Sequence, residues 1–297
     1  MACEQLTRLG DVIELEDVKR EPISSRDRKD RKGSYPYYGA QGIVDYLDDY
    51  TYEGDYLLVA EDGENLRSRK NPIANAASGK FRVNNHAHVI AESEKCNLVF
   101  LRHLLNMTDI SAYVTGSTQP KLSQSNLCAM KLPLPSMAEQ NAIANVLSLF
   151  DRKIELNNQL NDYLEQLVDG KFQELFGGLN FNATLSDVAE ITMGQSPAGS
   201  SYNEEGAGII FYQGRGEFGW RFPKRRLYTT EPKRLACEGD VLMSVRAPVG
   251  DLNVAFENCC IGRGLAAIHS ETPSFALYLM RFLKPQLEAY NGEGTVF

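Results

Sequence analysis

No stretch of this sequence approaches the eighteen or so consecutive apolar residues that a membrane-spanning helix needs. Its opening, MACEQLTRLGDVIEL, lacks the charged-then-apolar layout of a secretory leader. None of the six cysteines (Cys3, Cys96, Cys128, Cys237, Cys259, Cys260) stands in a CxxC pair, which argues against zinc ribbons and a disulfide scaffold. These absences predict a cytoplasmic chain with reduced thiols, no membrane and no metal site. No HExxH, Walker loop or GxSxG occurs, so the chemistry those motifs carry has no support here. Basic residues are in the minority, 31 against 39 acidic, for a formal net charge of −8. That excludes a uniformly basic nucleic-acid binder, although phosphate binding needs only a basic patch.

Two such patches exist. Residues 19–32, KREPISSRDRKDRK, carry seven bases against three acids, and residues 221–234, RFPKRRLYTTEPKR, carry six against one. Acids gather elsewhere, as in DYLDDYTYEGD at 45–55. The remaining composition, 43% hydrophobic and 24% charged over 297 residues, is that of ordinary globular domains, with length for two.

The sequence also repeats itself. LGDVIE (9–14) returns as LSDVAE (185–190), YYGAQG (37–42) as FYQGRG (211–216), and YEGDYLLVA (52–60) as CEGDVLMSV (237–245). VNNHAHVI (83–90) lies 178 residues before IGRGLAAI (261–268), and VFLRHLL (99–105) falls on LYLMRFL (277–283) at the same offset. One order at nearly constant spacing indicates two copies of one domain. Strands are expected at GIVDYL (42–47), YLLVA (56–60), HVIAES (88–93), DVLMSV (240–245) and LNVAF (252–256), among dense glycines and prolines. Helices are expected at 98–106 and 274–287, with Pro285 ending the second early. The fold class is α+β, with two similar loop-rich domains, 1–135 and 178–297, separated by a helical spacer at 136–177. By the same offset NGEGTVF (291–297) restarts the passage TGSTQPKLSQSNLCAMKLPLP (115–135), so the second domain is expected to be C-terminally incomplete.

Between Ala138 and Phe176 only Gly170 interrupts a helical pattern, Ser136 and Glu139 form a capping box, and Gly177-Gly178 supply the stop. Ile143, Phe150, Asn157 and Leu164, with Leu147, Ile154, Asn161, Val168 and Leu175, form a heptad stripe. Leu149, Leu156, Leu160, Tyr163 and Leu167 cover an adjacent face. Asn157 and Asn161 either fix the register of a coiled-coil seam or face water. At 1.5 Å per residue the helix spans roughly 55–60 Å, longer than one DNA turn of about 34 Å.

Together, GSTQPKLSQSNL…KLPLP (116–135), AEQNAIANVLSLFDRKIELNNQ (138–159) and the LGDV and EGD openings resemble the specificity subunit of type I restriction-modification enzymes. The resemblance implies two target-recognition domains, each reading half of a split double-stranded DNA sequence, and helical regions that act as a ruler. It implies modification (methyltransferase) subunits bound through Glu139, Gln140, Ile143, Leu147, Phe150, Ile154, Asn157, Asn161 and Leu164. A restriction/translocase subunit would join them, and no cofactor is expected on this chain, S-adenosylmethionine belonging to the methyltransferase. Absence of a second conserved helical region leaves open a half-type subunit that self-associates through the helix to read a symmetric site.

Arginine and lysine can read guanine, and asparagine or glutamine adenine, though most such contacts go to phosphate. The first domain offers Arg67, Arg69, Lys70, Lys80, Arg82, Asn85 and His86, with Tyr35, Tyr37 and Tyr38. The second offers Gln213, Arg215, Trp220, Arg221, Lys224, Arg225, Arg226 and Arg246. Two other classes compete. GRGEFG (214–219) fits the dinucleotide fingerprint, but a proline-bearing basic run follows where a helix should open. NPI (71–73) only echoes the Asn-Pro-Pro-aromatic signature of amino-methyltransferases. A coiled-coil adaptor without DNA specificity would explain the helix but not two divergent heads.

Overall fold

The structure is a computed structural model that describes residues 6–246 and 248–289. It divides into two compact units, Met1–Asn157 and Asn158–Phe297. The terminal repeat of NGEGTVF lies outside the described residues. Among those described, no helix is long and apolar enough to cross a membrane.

The first unit is built on a six-stranded sheet: β1 (Glu14–Leu15), β2 (Lys32–Gly39), β3 (Gly42–Leu47), β4 (Tyr52–Ala60), β5 (Ala74–Val83) and β6 (Ala87–Ala91). Their spatial order is β1-β6-β4-β5-β2-β3, with β2 and β5 parallel and the other neighbours antiparallel. Side chains alternate across it. Leu57, Val59 and Ile90 face helix α1 (Leu98–Met107) and its Leu101 and Leu105, while Tyr52, Leu58, Phe81 and Val89 form a second cluster. β5, ANAASGKFRV, is a strand the residue types did not announce, because alanine, serine and glycine carry little strand preference. Its pairing with β4 over eight consecutive positions overrides propensity.

The second unit contains β7 (Glu190–Met193), β8 (Ile209–Tyr212), β9 (Leu227–Thr229), β10 (Leu235–Ala236), β11 (Val241–Ser244), β12 (Leu252–Val254), β13 (Cys259–Ile261) and β14 (Leu265–His269). Helix α3, Pro273–Ala289, follows and runs through Pro285 rather than stopping before it. The proline sits in the final turns, where its missing N–H removes one bond near an end that frays anyway.

Strand pairing establishes the repeat independently of sequence. Glu14 pairs with Ala91, and Glu190 with His269. Tyr38 pairs in parallel with Val83, and Tyr212 with Ile261. Leu57 pairs with Ile90 and Ala76, and Val241 with Ile268 and Val254. The last set corrects one sequence echo. Aligning EGD with EGD equates Leu57 with Leu242, but the ladder equates it with Val241. A slip of one residue turns every side chain to the other face, and Val241, like Leu57, packs on the helix side.

The ladder that is continuous in the first unit is interrupted in the second. β10 and β11 together match β4, and β12 and β13 together match β5, with the same register on both sides of the break. The break is the turn Cys237–Asp240, where Gly239 has φ +89°, a conformation that disfavours any residue with a Cβ. Asp240 holds it, accepting a hydrogen bond from the Cys237 N–H at 2.8 Å. One sheet thereby becomes two, one of four strands and one of five, the fifth being the two-residue edge strand Tyr202–Asn203 paired with β9.

The long helix, α2, runs over Met137–Phe176, with the boundary between the units inside it. The expected capping box is formed: the Ser136 N–H donates to Glu139 Oε2 at 3.0 Å and the Glu139 N–H to Ser136 Oγ at 3.4 Å.

Candidate nucleic-acid interface

Each unit presents a cluster of loops where its parallel strand pair ends. In the first, β2 turns through Ala40-Gln41 into β3, and the paired residues Tyr37 and Asp45 are eight positions apart. In the second, the equivalent residues Phe211 and Leu227 are sixteen apart. The extra length is the loop carrying GRGEFGWRFPKRR. A three-residue turn lies alongside in both: Asn84–His86 between β5 and β6, and Gly262–Gly264 between β13 and β14. The Asn84 N–H donates to the Tyr38 carbonyl at 3.0 Å, and the Gly262 N–H to that of Tyr212 at 2.8 Å.

The first basic run is largely neutralised. Arg20 bonds Glu61 at 2.6 Å, Arg28 faces Asp45, and Arg31 pairs with Asp48 and Asp49. Arg82 is buried between Glu21 and Asp49. Lys80 reaches Glu53 at 3.8 Å and lies 4.5 Å from the Tyr50 ring centre. Arg67 donates to the carbonyls of Gly116 and Ser117, tying down the GSTQPKLS passage. Arg69 needs correcting as a DNA contact. In left-handed backbone (φ 50°), its Nη2 donates to the carbonyls of Leu105, Asn106 and Thr108, the open end of α1. Helix C-termini leave such carbonyls unsatisfied, so this guanidinium is structural. Lys70 and Asn85 are exposed without a side-chain partner among the described residues.

In the second unit Arg215 pairs with Asp251, Arg225 with Glu257 at 2.6 Å and Arg226 with Glu217 at 2.7 Å. Gln213, Lys224 and Arg246 are exposed with no side-chain partner among the described residues, and Trp220 is 56% exposed. Arg221, half-buried, gives its carbonyl to the Val254 N–H at 2.8 Å. Arg263, which lies outside both basic runs, joins them: exposed, its main-chain N–H donating to Ser196 Oγ at 3.3 Å. Its signal was present, because IGRGLAAI places Arg263 opposite Asn85 at the offset of 178.

Two acid-histidine clusters show what the buried polar groups do. His88, fully buried, points Nδ1 at Asp17 (2.6 Å) and Nε2 at the Leu122 carbonyl (2.8 Å), with Arg20 and Lys121 neutralising Asp17 and Glu61 around it. Burial would raise the Asp17 carboxyl, but His88, the Val89 N–H and Arg20 hold it below its ordinary value. In the second unit Asp240 bonds His269 Nδ1 at 2.6 Å and raises its pKa. Cys237, Asp240 and His269 place potential ligand atoms within 4.8 Å of one another, as do Asp17, Glu61 and His88. Internal hydrogen bonds with Arg20 and Lys121 account for the first-unit trio, and in the second Asp240 is held by the Cys237 N–H and His269. Burial pushes the thiols of Cys96 and Cys259 up to about 11 and about 12, so they are structural rather than reactive.

Along α2, Phe150 and Ile154 are 62% and 60% exposed, and Ile143, Asn157 and Leu164 are also exposed. Leu147 and Asn161 are half-buried, and Glu139 is exposed within its capping box. Gln140 is the exception. It is buried, accepting from the Asn97 N–H at 3.0 Å and donating to the Pro135 carbonyl at 2.9 Å, so it fixes the start of α2 to α1 and has no surface for a partner. Arg102 and His103 of α1 meet Asp151, while Arg281 of α3 meets Glu165 and Asp169.

The sequence profile of the type I restriction modification DNA specificity domain matches residues 5–166. A protein of Methanocaldococcus jannaschii described as the MjaX type I restriction enzyme specificity subunit is 31% identical, over 98% of this chain and 69% of its own. A specificity subunit of Haemophilus influenzae, S.HindORF215P, is 37% identical over 47% of this chain and 35% of its own. The solved S subunit of a type I restriction-modification system from M. genitalium superposes over 99% of this chain and 81% of its own, with TM-score 0.59 at 17% identity, a likeness of fold.

Proposed function

The chain belongs to the family of type I restriction-modification DNA specificity subunits, and from that premise we propose that its two units each read one half of a split double-stranded DNA target. One observation carries this reading: two copies of one scaffold, matched residue by residue in their ladders, differ in length and chemistry at the loops where the parallel pair ends. Equal scaffolds with unequal tips suit the reading of two unlike half-sites.

The chain itself supplies recognition and no bond-making step. Modification subunits bring S-adenosylmethionine and flip the target adenine, and a restriction/translocase subunit joins them in the cytoplasm. Exposed apolar residues along α2, Leu149, Phe150 and Ile154 among them, suit the docking of a modification subunit, since apolar surface of this extent marks an interaction site. Ile154→Asp is expected to leave the free chain folded and to abolish co-purification with the modification subunit; normal assembly would sink the docking role.

The reading itself is tested by long-read methylation sequencing of a host expressing this chain with its cognate modification subunit. A split adenine-methylated motif with two unlike halves is the expected result, and absence of any new motif overturns it. A second reading rests on the symmetry of α2, in which Phe150 and Ile154 stand as far before Asn157 as Leu164 and Leu160 stand after it. Two copies pairing antiparallel there would produce a palindromic split motif instead.

A further inference from the structure

In both units one three-residue turn, leading into β6 or β14, lies beside the loop where the parallel pair ends, and its backbone is held by the same bonds. The Asn84 and Gly262 N–H groups donate to Tyr38 and Tyr212, and the carbonyls of His86 and Gly264 accept from the N–H groups of Glu61 (2.9 Å) and Val245 (3.0 Å). The middle residue is Asn85 in the first unit and Arg263 in the second. We propose that this middle residue is the base-reading side chain of each unit, with Asn85 taking an adenine edge and Arg263 a guanine edge. This rests on the split-target reading above.

The neighbours explain why only the middle residue is available. In the first unit Asn84 Oδ1 accepts from the His86 N–H at 2.8 Å, and His86 Nδ1 is held by Asp62 at 2.8 Å. Asn85 has no side-chain partner among the described residues and opens on a cavity of about 390 Å³ lined by Ser24, Arg28, Tyr37, Asn84 and His86. In the second unit the flanking residues are glycines by necessity. A Cβ on Gly262 would sit 2.9 Å, and one on Gly264 2.8 Å, from the Gln213 carbonyl oxygen. The turn therefore presses on the β8 loop with Arg263 as its one projecting side chain.

Charge separates Arg263 from the more conspicuous arginines nearby. Arg215, Arg225 and Arg226 are each paired with an acid, whereas the Arg263 side chain has no hydrogen bond or ion pair among the described residues. An unpaired guanidinium keeps its full donor fork for guanine O6 and N7, and an unpaired asparagine amide matches adenine N6 and N7. Gln213 and Arg246, also without a side-chain partner among the described residues, lie close by: the Gly264 N–H bonds the Gln213 carbonyl, and Val245, next to Arg246, bonds the Gly264 carbonyl.

The test uses the full chain with its modification subunit and reads the methylated motif for Arg263→Gln and Asn85→Ala. Arg263→Gln is expected to relax one guanine in one half-site, with discrimination there falling about tenfold or more, and to leave the other half intact. Asn85→Ala is expected to relax one adenine in the opposite half. A split motif unchanged by both variants overturns the turn assignment while the split-target reading stands. A uniform loss of methylation without loss of preference would make these residues phosphate contacts and overturn it equally. No motif from the unaltered chain overturns the underlying reading first.

Discussion

The first unit fills the middle of its central hairpin with rings, and the second breaks the same hairpin with a turn. Phe81 stacks on Tyr52 at 5.4 Å between ring centres and meets Tyr38 and Tyr56 edge-on. The ladder places Cys259 where Phe81 stands, Ala236 where Tyr52 stands and Asp240 where Tyr56 stands. Small residues cannot hold two strands flat across that width, and Asp240 instead holds the Cys237–Asp240 turn. The scaffold thus tolerates a continuous or a broken sheet, provided the register on either side is kept. A charge difference accompanies the mechanical one: in the first basic run Lys19, Arg20, Arg28, Arg31 and Lys32 meet acids, whereas in the second only Arg225 and Arg226 do so among the described residues.

The largest expected effect tests the aromatic wedge. Phe81→Ala should lower the stability of the first unit by about 3–5 kcal/mol, against about 1 kcal/mol for Cys259→Ala in the second. Equal losses in denaturant unfolding would break the comparison. Next comes the buried network at His88. Asp17→Asn removes one partner and should cost about 3 kcal/mol near neutral pH. Because the Asp17 carboxyl is held below its ordinary pKa, that contribution is present above the ordinary value and lost as pH falls through the folded one. Wild type and Asp17→Asn should therefore converge in urea titrations as the solution is acidified.

Gly239→Ala should cost about 1–2 kcal/mol through its left-handed backbone, whereas Asp55→Ala at the matching point of the continuous strand should stay within about 0.5 kcal/mol. His269 tests the same turn by pH. Its pKa is raised by Asp240, so its contribution is present below the ordinary histidine value and lost as pH rises through the folded one. The difference in melting temperature between wild type and His269→Ala should fade on the alkaline side. Smallest in stability is Arg225→Ala, because its ion pair with Glu257 is exposed and screened by solvent. It should weaken DNA binding and lower the salt slope by about one; an unchanged slope removes Arg225 from the contacts.

The sequence alone determined the repeat, the α+β class, the capping box at Ser136 and Glu139, and the extent of the long helix. Each of these rests on local pattern: a capping residue beside its partner, apolar residues at helical spacing, motifs recurring in order. The family was legible for the same reason. The tertiary structure alone decided the one-residue slip of the EGD echo, the strand at 74–83, and which polar side chains remain available. Gln140 and Arg69 looked like surface groups and proved to be internal ties, and most bases of the first run met acids brought alongside by the fold. Arg263, between two glycines, has no side-chain partner among the described residues. Hydrogen bonding and charge pairing join residues distant in the chain, so a side chain's freedom to touch a partner is settled only once the backbone has brought its competitors alongside.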